Sequence, residues 1–69
     1  MNSNVYKVVE IVGSSENSTD DAIRNGVARA AETLQNLEWF EVLETRGHIE
    51  SGAVAHFQAV LKIGFRLND

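Results

Sequence analysis

Four side chains in this sequence carry groups that could grip a flat, polar-edged ligand: Trp39, Arg46, Gln58 and Arg66. Trp39 is the sole tryptophan. Its indole offers a broad electron-rich face, and stacking a flat ring on such a face contributes roughly 1–3 kcal/mol. Two copies related by a two-fold axis could clamp two flat ligands, because such an axis brings the same patch together from both subunits. Packing in a core or between subunits is the commoner use of a lone tryptophan, and the sequence alone leaves both open. Gln58 holds a donor and an acceptor in one amide, a match for a heterocycle edge that carries both. A solvated strand glutamine is the plainer reading. Arg46 and Arg66 could fork onto a phosphate or carboxylate, or make ordinary surface and inter-subunit pairs. Gly47 and Gly64 lie inside strand-like text, where glycine signals a bulge or the close approach of a ligand or another backbone.

Other chemistry is thinly supplied. His48 and His56 could flank a hairpin on neighbouring strands, but a metal site needs at least a third ligand, and none falls at helpful spacing. No metal site is expected. The chain has no cysteine, which removes thiolate zinc sites and disulfides. No nucleophile elbow, phosphate loop, Cys/His pair or catalytic carboxylate pair is visible. The net charge is −4, with both signs dispersed. That argues against a nucleic-acid or anionic-membrane partner, since phosphate attraction needs a basic face. Met1 is followed by polar residues, so no signal peptide is expected, and the apolar stretches are too short to span a bilayer. A cytoplasmic protein is expected.

The elements that must position these residues follow from the spacing of apolar side chains. The 69 residues fit one domain, residues 1–69. "NVYKVVEIVG" reads as a first strand from about Val5 to Val12, with apolar groups on both faces. Ser18 is a good N-cap, with Thr19, Asp20 and Asp21 in the first helical turn. From Thr19 to about Asn36 the apolar positions Ile23, Val27, Ala30, Leu34 and Leu37 recur at helical spacing and form one stripe. Gly26, inside this helix, costs roughly 1 kcal/mol relative to Ala; either close packing of another backbone or simple tolerance would account for it. A second strand runs from about Trp39 to Ile49. "ESGA" makes a turn, and a third strand runs from about Val54 to Leu67. On the third, Ala55, Phe57, Ala59, Leu61, Ile63, Phe65 and Leu67 line one face, and His56, Gln58, Val60, Lys62, Gly64 and Arg66 line the other.

The order is β-α-β-β, an α+β fold. The first two strands are joined by a helix and should run parallel to each other. A third strand placed between them makes every pairing antiparallel. One helix can cover only one face of a three-stranded sheet. The other face then holds Gln58, Val60 and either Trp39 or Phe40, and an exposed apolar patch of that kind marks an interface or a ligand site. A core this small yields about 3–5 kcal/mol. With no disulfide to help, oligomerisation is the expected staple.

At this point the chain resembles the dodecins, small flavin-binding proteins that assemble as hollow dodecamers. The likeness rests on "VYKVVEIVGSS", "VARAAETLQNL", "WFEVLETRGHI" and "FQAVLKIGFRL", and it covers nearly the whole chain. It implies a three-stranded antiparallel sheet partly wrapped around one helix, in a homododecamer with two-fold and three-fold axes. It also implies flavin pockets at the two-fold axes, each taking a pair of isoalloxazine rings. In that family's pattern Trp39 matches the stacking tryptophan, Gln58 the glutamine that bonds the ring edge, and Arg46 the arginine near the flavin of bacterial members. Arg66 sits in the matching G-F-R-L text. Phe40 is then expected on the helix side with Val42, and Trp39 on the other face.

The function implied is storage and buffering of FMN or riboflavin, without enzymatic turnover, because a sandwiched ring leaves little room for a substrate. A tryptophan against the ring would also quench its excited state. Two other readings remain at this stage. One is a flavin-dependent redox enzyme or electron carrier. The other is an assembly that binds a different ligand, such as coenzyme A.

Overall fold

The computed structural model describes residues 4–67. Strand β1 (Tyr6–Ser15) is followed by helix α1 (Thr19–Ala31), strand β2 (Leu37–Glu50) and strand β3 (Ala53–Arg66). The sheet order is β1-β3-β2, and both pairings are antiparallel. The expected α+β arrangement, β-α-β-β with the last strand central, is the one observed. Strands β2 and β3 are joined by Ser51 and Gly52, both at positive φ. Two such residues give a hairpin turn whose twist matches that of the flanking strands.

The start of the helix is built as its sequence requires. Ser18 has extended backbone and its Oγ accepts from the Asp21 N–H at 3.0 Å. Ser15 Oγ donates to Asp21 Oδ2 at 2.7 Å and accepts from the Asn17 N–H at 2.9 Å. The Ser15 hydrogen bond first, and next one from Asn17 Nδ2 to the same oxygen, hold the Asp21 carboxyl below its ordinary value.

The end of the helix differs from expectation. The periodicity predicted a helix to about Asn36, but α1 stops at Ala31. Ala30 O accepts from the N–H groups of both Thr33 and Leu34, a tightened last turn, and Asn36 then adopts φ 62°. Asparagine tolerates that left-handed conformation better than most residues. Leu34 and Leu37 still pack on the core, from the turn and from β2. Their helical spacing was therefore misleading about conformation and correct about burial. Strand boundaries also shift slightly. β1 excludes Val5 and continues past Gly13 to Ser15; β2 begins at Leu37 and ends at Glu50; β3 runs from Ala53 and stops before Leu67.

The core is small and sits between α1 and the β1–β3 half of the sheet. Leu61 and Ile63 are its only large, fully buried side chains among the described residues. The helix reaches it through Ala22, Gly26 and Ala30, with Ile23 and Val27 to the side. Close packing explains Gly26. A Cβ at Gly26 would meet Leu61 Cδ1 at 3.0 Å and Gly13 Cα at 3.3 Å, and a Cβ at Gly13 would collide with the carbonyl of Ala22. Helix and strand backbones touch there.

Every residue of β2 after Leu37 is exposed, because the helix lies over β1 and β3. Phe40 pairs with Ile63 and Val42 with Leu61, so both face the helix side as expected. Phe40 nevertheless remains 50% exposed. The described residues extend 57 × 20 × 13 Å, with a radius of gyration of 14.4 Å. A compact chain of this length would have about 11 Å. The hairpin projects well beyond its helix, and its tip exposes Ile49 and Val54.

Candidate functional site

The face of the sheet away from the helix carries the predicted ligand residues. Partners across an antiparallel pair share a face, so the register assigns them directly. Trp39 lies opposite Gly64, and Arg46 opposite Gln58. Tyr6 lies opposite Arg66, and Val8 opposite Gly64 from the other side. All of these share the uncovered face.

Trp39 reaches that face through an irregularity. Leu37 pairs with Phe65 and Trp39 with Gly64, leaving Glu38 as the extra residue. Such bulges re-aim side chains. The Trp39 indole lies across the central strand above Gly64, where a Cβ would fall within Cε2, Cζ2 and Cη2 of the ring. It meets Tyr6 in an edge arrangement, with ring centroids 5.1 Å apart and planes at 68°. Trp39 remains 43% exposed. It is backed by the sheet on one face and open on the other.

Arg46 and Gln58 form a single polar group. Arg46 Nε donates to Gln58 Oε1 at 2.9 Å. A guanidinium only donates, so Gln58 turns its carbonyl toward Arg46, and its NH2 is left to donate elsewhere. In the folded chain one acceptor site of the Gln58 carbonyl is engaged by Arg46, and both N–H groups and the second lone pair remain. Arg46 also lies 3.3 Å from Glu44 Oε2, an exposed pair of small energetic weight. Arg66 lies 3.9 Å from Glu38 Oε2, which ties it to the bulge beside Trp39.

The chain does not bring Trp39 and Gln58 together. Gly64, beneath the indole, and Gln58 are six residues apart on β3, about 20 Å along a strand. Arg66 belongs to the Trp39 end and Arg46 to the Gln58 end. The larger grooves lie elsewhere. One, of about 480 Å³, runs between β1 and α1 beside Gly13 and Gly26. Another, of about 490 Å³, lies between α1 and Phe40. Neither is lined by Trp39, Arg46 or Gln58.

His48 and His56 are direct cross-strand partners with rings stacked 4.9 Å apart. Among the described residues, no group of three or more His, Cys, Asp or Glu side chains could share a metal ion. Two contributors escaped the sequence reading. Tyr6 could be assigned to a face by alternation, but nothing in the text tied it to Trp39. Gly64 was read as a sign of a bulge or a close approach, but nothing in the text named the Trp39 indole as what approaches it.

These features define a class: a small β-α-β-β protein with one helix-covered face and aromatic and polar side chains displayed on the other. More specifically, the chain belongs to the dodecin family, whose model, described as Dodecin, matches residues 5–68. It is 51% identical over 65 residues to the dodecin of Thermus thermophilus, covering 94% of each chain. The solved dodecin from Streptomyces davaonensis superposes with a TM-score of 0.96 at 50% identity, covering 99% of this chain and all of that one. A more distant relative, 27% identical over 63 residues (91% of this chain and 89% of that one), is the calcium dodecin of Mycobacterium tuberculosis. Among the described residues, no helix is long and apolar enough to cross a membrane.

Proposed function

We propose that this protein binds flavin, as FMN or riboflavin, and serves to store and buffer it in the cytoplasm without turning it over. The observation that carries this reading is the Trp39 indole seated on Gly64, with its outer face open. An isoalloxazine fits that surface as a flat aromatic ring on an electron-rich platform. Gln58 supplies an amide N–H for an acceptor on the ring edge, and Arg46 holds that amide in place. Arg46 also offers charge to a phosphate-bearing tail. Arg66 serves the Trp39 end through Glu38.

The separation of about 20 Å between the two ends makes one chain insufficient. A two-fold axis between them would carry Trp39 of one copy toward Gln58 and Arg46 of another. A second copy would also cover the bare sheet face. Self-association in a homododecamer is therefore part of the proposal, with the pocket formed between chains.

The test is a titration of apo-protein with riboflavin, FMN and FAD, following flavin fluorescence, in parent and Trp39→Ala. The parent should bind and quench. Trp39→Ala should lose roughly 1–3 kcal/mol of binding and restore emission in the residual complex. Equal binding and quenching by both proteins would make Trp39 a packing residue. Parallel titrations with coenzyme A and with calcium would expose a different principal ligand, and turnover of a reductant with common acceptors would point to an enzyme or electron carrier.

A further inference from the structure

We propose that Tyr6 and Gly64 are positioning residues that fix Trp39 as a rigid platform before any ligand arrives. The inference rests on the flavin reading only for the identity of that ligand. The seat itself is built from three strands. Strand β2 supplies the indole, and the bulge at Glu38 sets Trp39 opposite Gly64. The central strand β3 supplies a gap in its row of side chains at Gly64. Strand β1 supplies a stop, the Tyr6 ring, met edge to face at 5.1 Å.

The gap is needed for shape. Neighbouring positions on this face of β3 are Lys62 and Arg66, whose side chains stand up from the sheet. An indole can lie flat across the strand only where no Cβ projects, and a Cβ at Gly64 would occupy the volume of its six-membered ring. The stop is needed for direction. A half-exposed tryptophan on a flat strand has several staggered rotamers open to it. Contact with the sheet on one face and with Tyr6 at the edge selects one of them. A ligand then meets an ordered surface and does not have to immobilise the ring itself, a saving that raises affinity. Alternation left either Trp39 or Phe40 for this face, and the bulge at Glu38 sends Trp39 there; the Gly64 gap and the Tyr6 contact determine that it lies down.

Trp39 is the sole tryptophan, so its spectra report the seat directly in the apo-protein. The variants are Gly64→Ala, Tyr6→Leu and Tyr6→Phe. Native mass first establishes the assembly state of each. Near-UV circular dichroism and acrylamide quenching then read Trp39, and a riboflavin titration reads the platform. Gly64→Ala should weaken the tryptophan dichroism bands, raise acrylamide quenching and weaken riboflavin binding about tenfold. Tyr6→Leu should do the same in smaller measure, severalfold in binding. Tyr6→Phe, which keeps the ring edge, should restore the parent spectra and affinity. If Gly64→Ala fails to assemble, the Tyr6 pair decides. Parent-like tryptophan spectra in Tyr6→Leu would overturn the proposal, as would equal losses in Tyr6→Leu and Tyr6→Phe. Should the parent fail to bind riboflavin, the flavin reading falls, while the apo-protein spectra still decide the seat.

Discussion

Arg46 Nε donates to Gln58 Oε1 at 2.9 Å across the β2–β3 ladder, so the two side chains act as a unit. Their effects on ligand binding should be coupled. Gln58→Ala should weaken riboflavin and FMN alike, by about 0.5–1.5 kcal/mol for a net hydrogen bond. Arg46→Ala should also weaken riboflavin, because it releases the Gln58 amide, and should weaken FMN further through lost attraction to phosphate. High salt should shrink that extra FMN loss. In a double-mutant cycle with riboflavin, the combined loss should fall short of the sum of the single losses. Strict additivity would mean that the hydrogen bond has no part in ligand recognition.

The thin core predicts assembly. Only two large side chains fully buried among the described residues, an exposed β2 and a bare sheet face should leave the isolated chain marginal. Native mass measurement should find a species of about 91 kDa, twelve chains of 7.6 kDa, as expected for closed symmetric association. The midpoint of urea unfolding should rise with protein concentration. A stable monomer at micromolar concentration would contradict both.

The Asp21 carboxyl titrates below its ordinary value of 3.8, chiefly through the Ser15 hydrogen bond and next through that from Asn17. Since folding lowers this value, the carboxylate contributes stability that is fully present above the unfolded value. The contribution is lost as pH falls through the folded one. Asp21→Asn should therefore be less stable than the parent at pH 7, and the gap should close below about pH 4. Urea midpoints at pH 7, 4 and 3 and one fixed protein concentration would show it. A gap of constant size at all three would remove Asp21 from the acid sensitivity of the fold.

Gly13 and Gly26 meet where helix and strand backbones touch, yet they should respond differently to alanine. A methyl at Gly13 runs into the Ala22 carbonyl, a rigid neighbour, and should cost about 1–3 kcal/mol as overpacking. A methyl at Gly26 meets the end of the Leu61 side chain at 3.0 Å and Gly13 Cα at 3.3 Å. It also gains roughly 1 kcal/mol of helix propensity, so its net effect should be small. Thermal unfolding at matched concentration would compare the two. A Gly13→Ala variant as stable as the parent would mean that the helix lifts off the strand at no cost.

The sequence by itself determined the element order, the central place of β3 and the parity of its two faces. Those follow from local periodicity, a property of neighbours along the chain. The Ser18 cap and the Ser51–Gly52 turn were legible for the same reason. The text also singled out Trp39, Arg46, Gln58 and Arg66, through residue type and the dodecin-like motifs around them. Tertiary structure decided what depends on strand register and on the distance between backbones. The apolar stripe read along the helix was Ile23, Val27, Ala30, Leu34 and Leu37, but α1 buries Ala22, Gly26 and Ala30 most deeply, because small residues let α1 settle against β1. The helix stops at Ala31 where its apolar spacing continues, because Leu34 and Leu37 reach the core equally well from a turn and from a strand. Gln58 turns its carbonyl to Arg46, and Trp39 lies over Gly64 against Tyr6. Each of those relations joins residues far apart in sequence, and only the pairing of three strands, with a bulge at Glu38, sets them side by side.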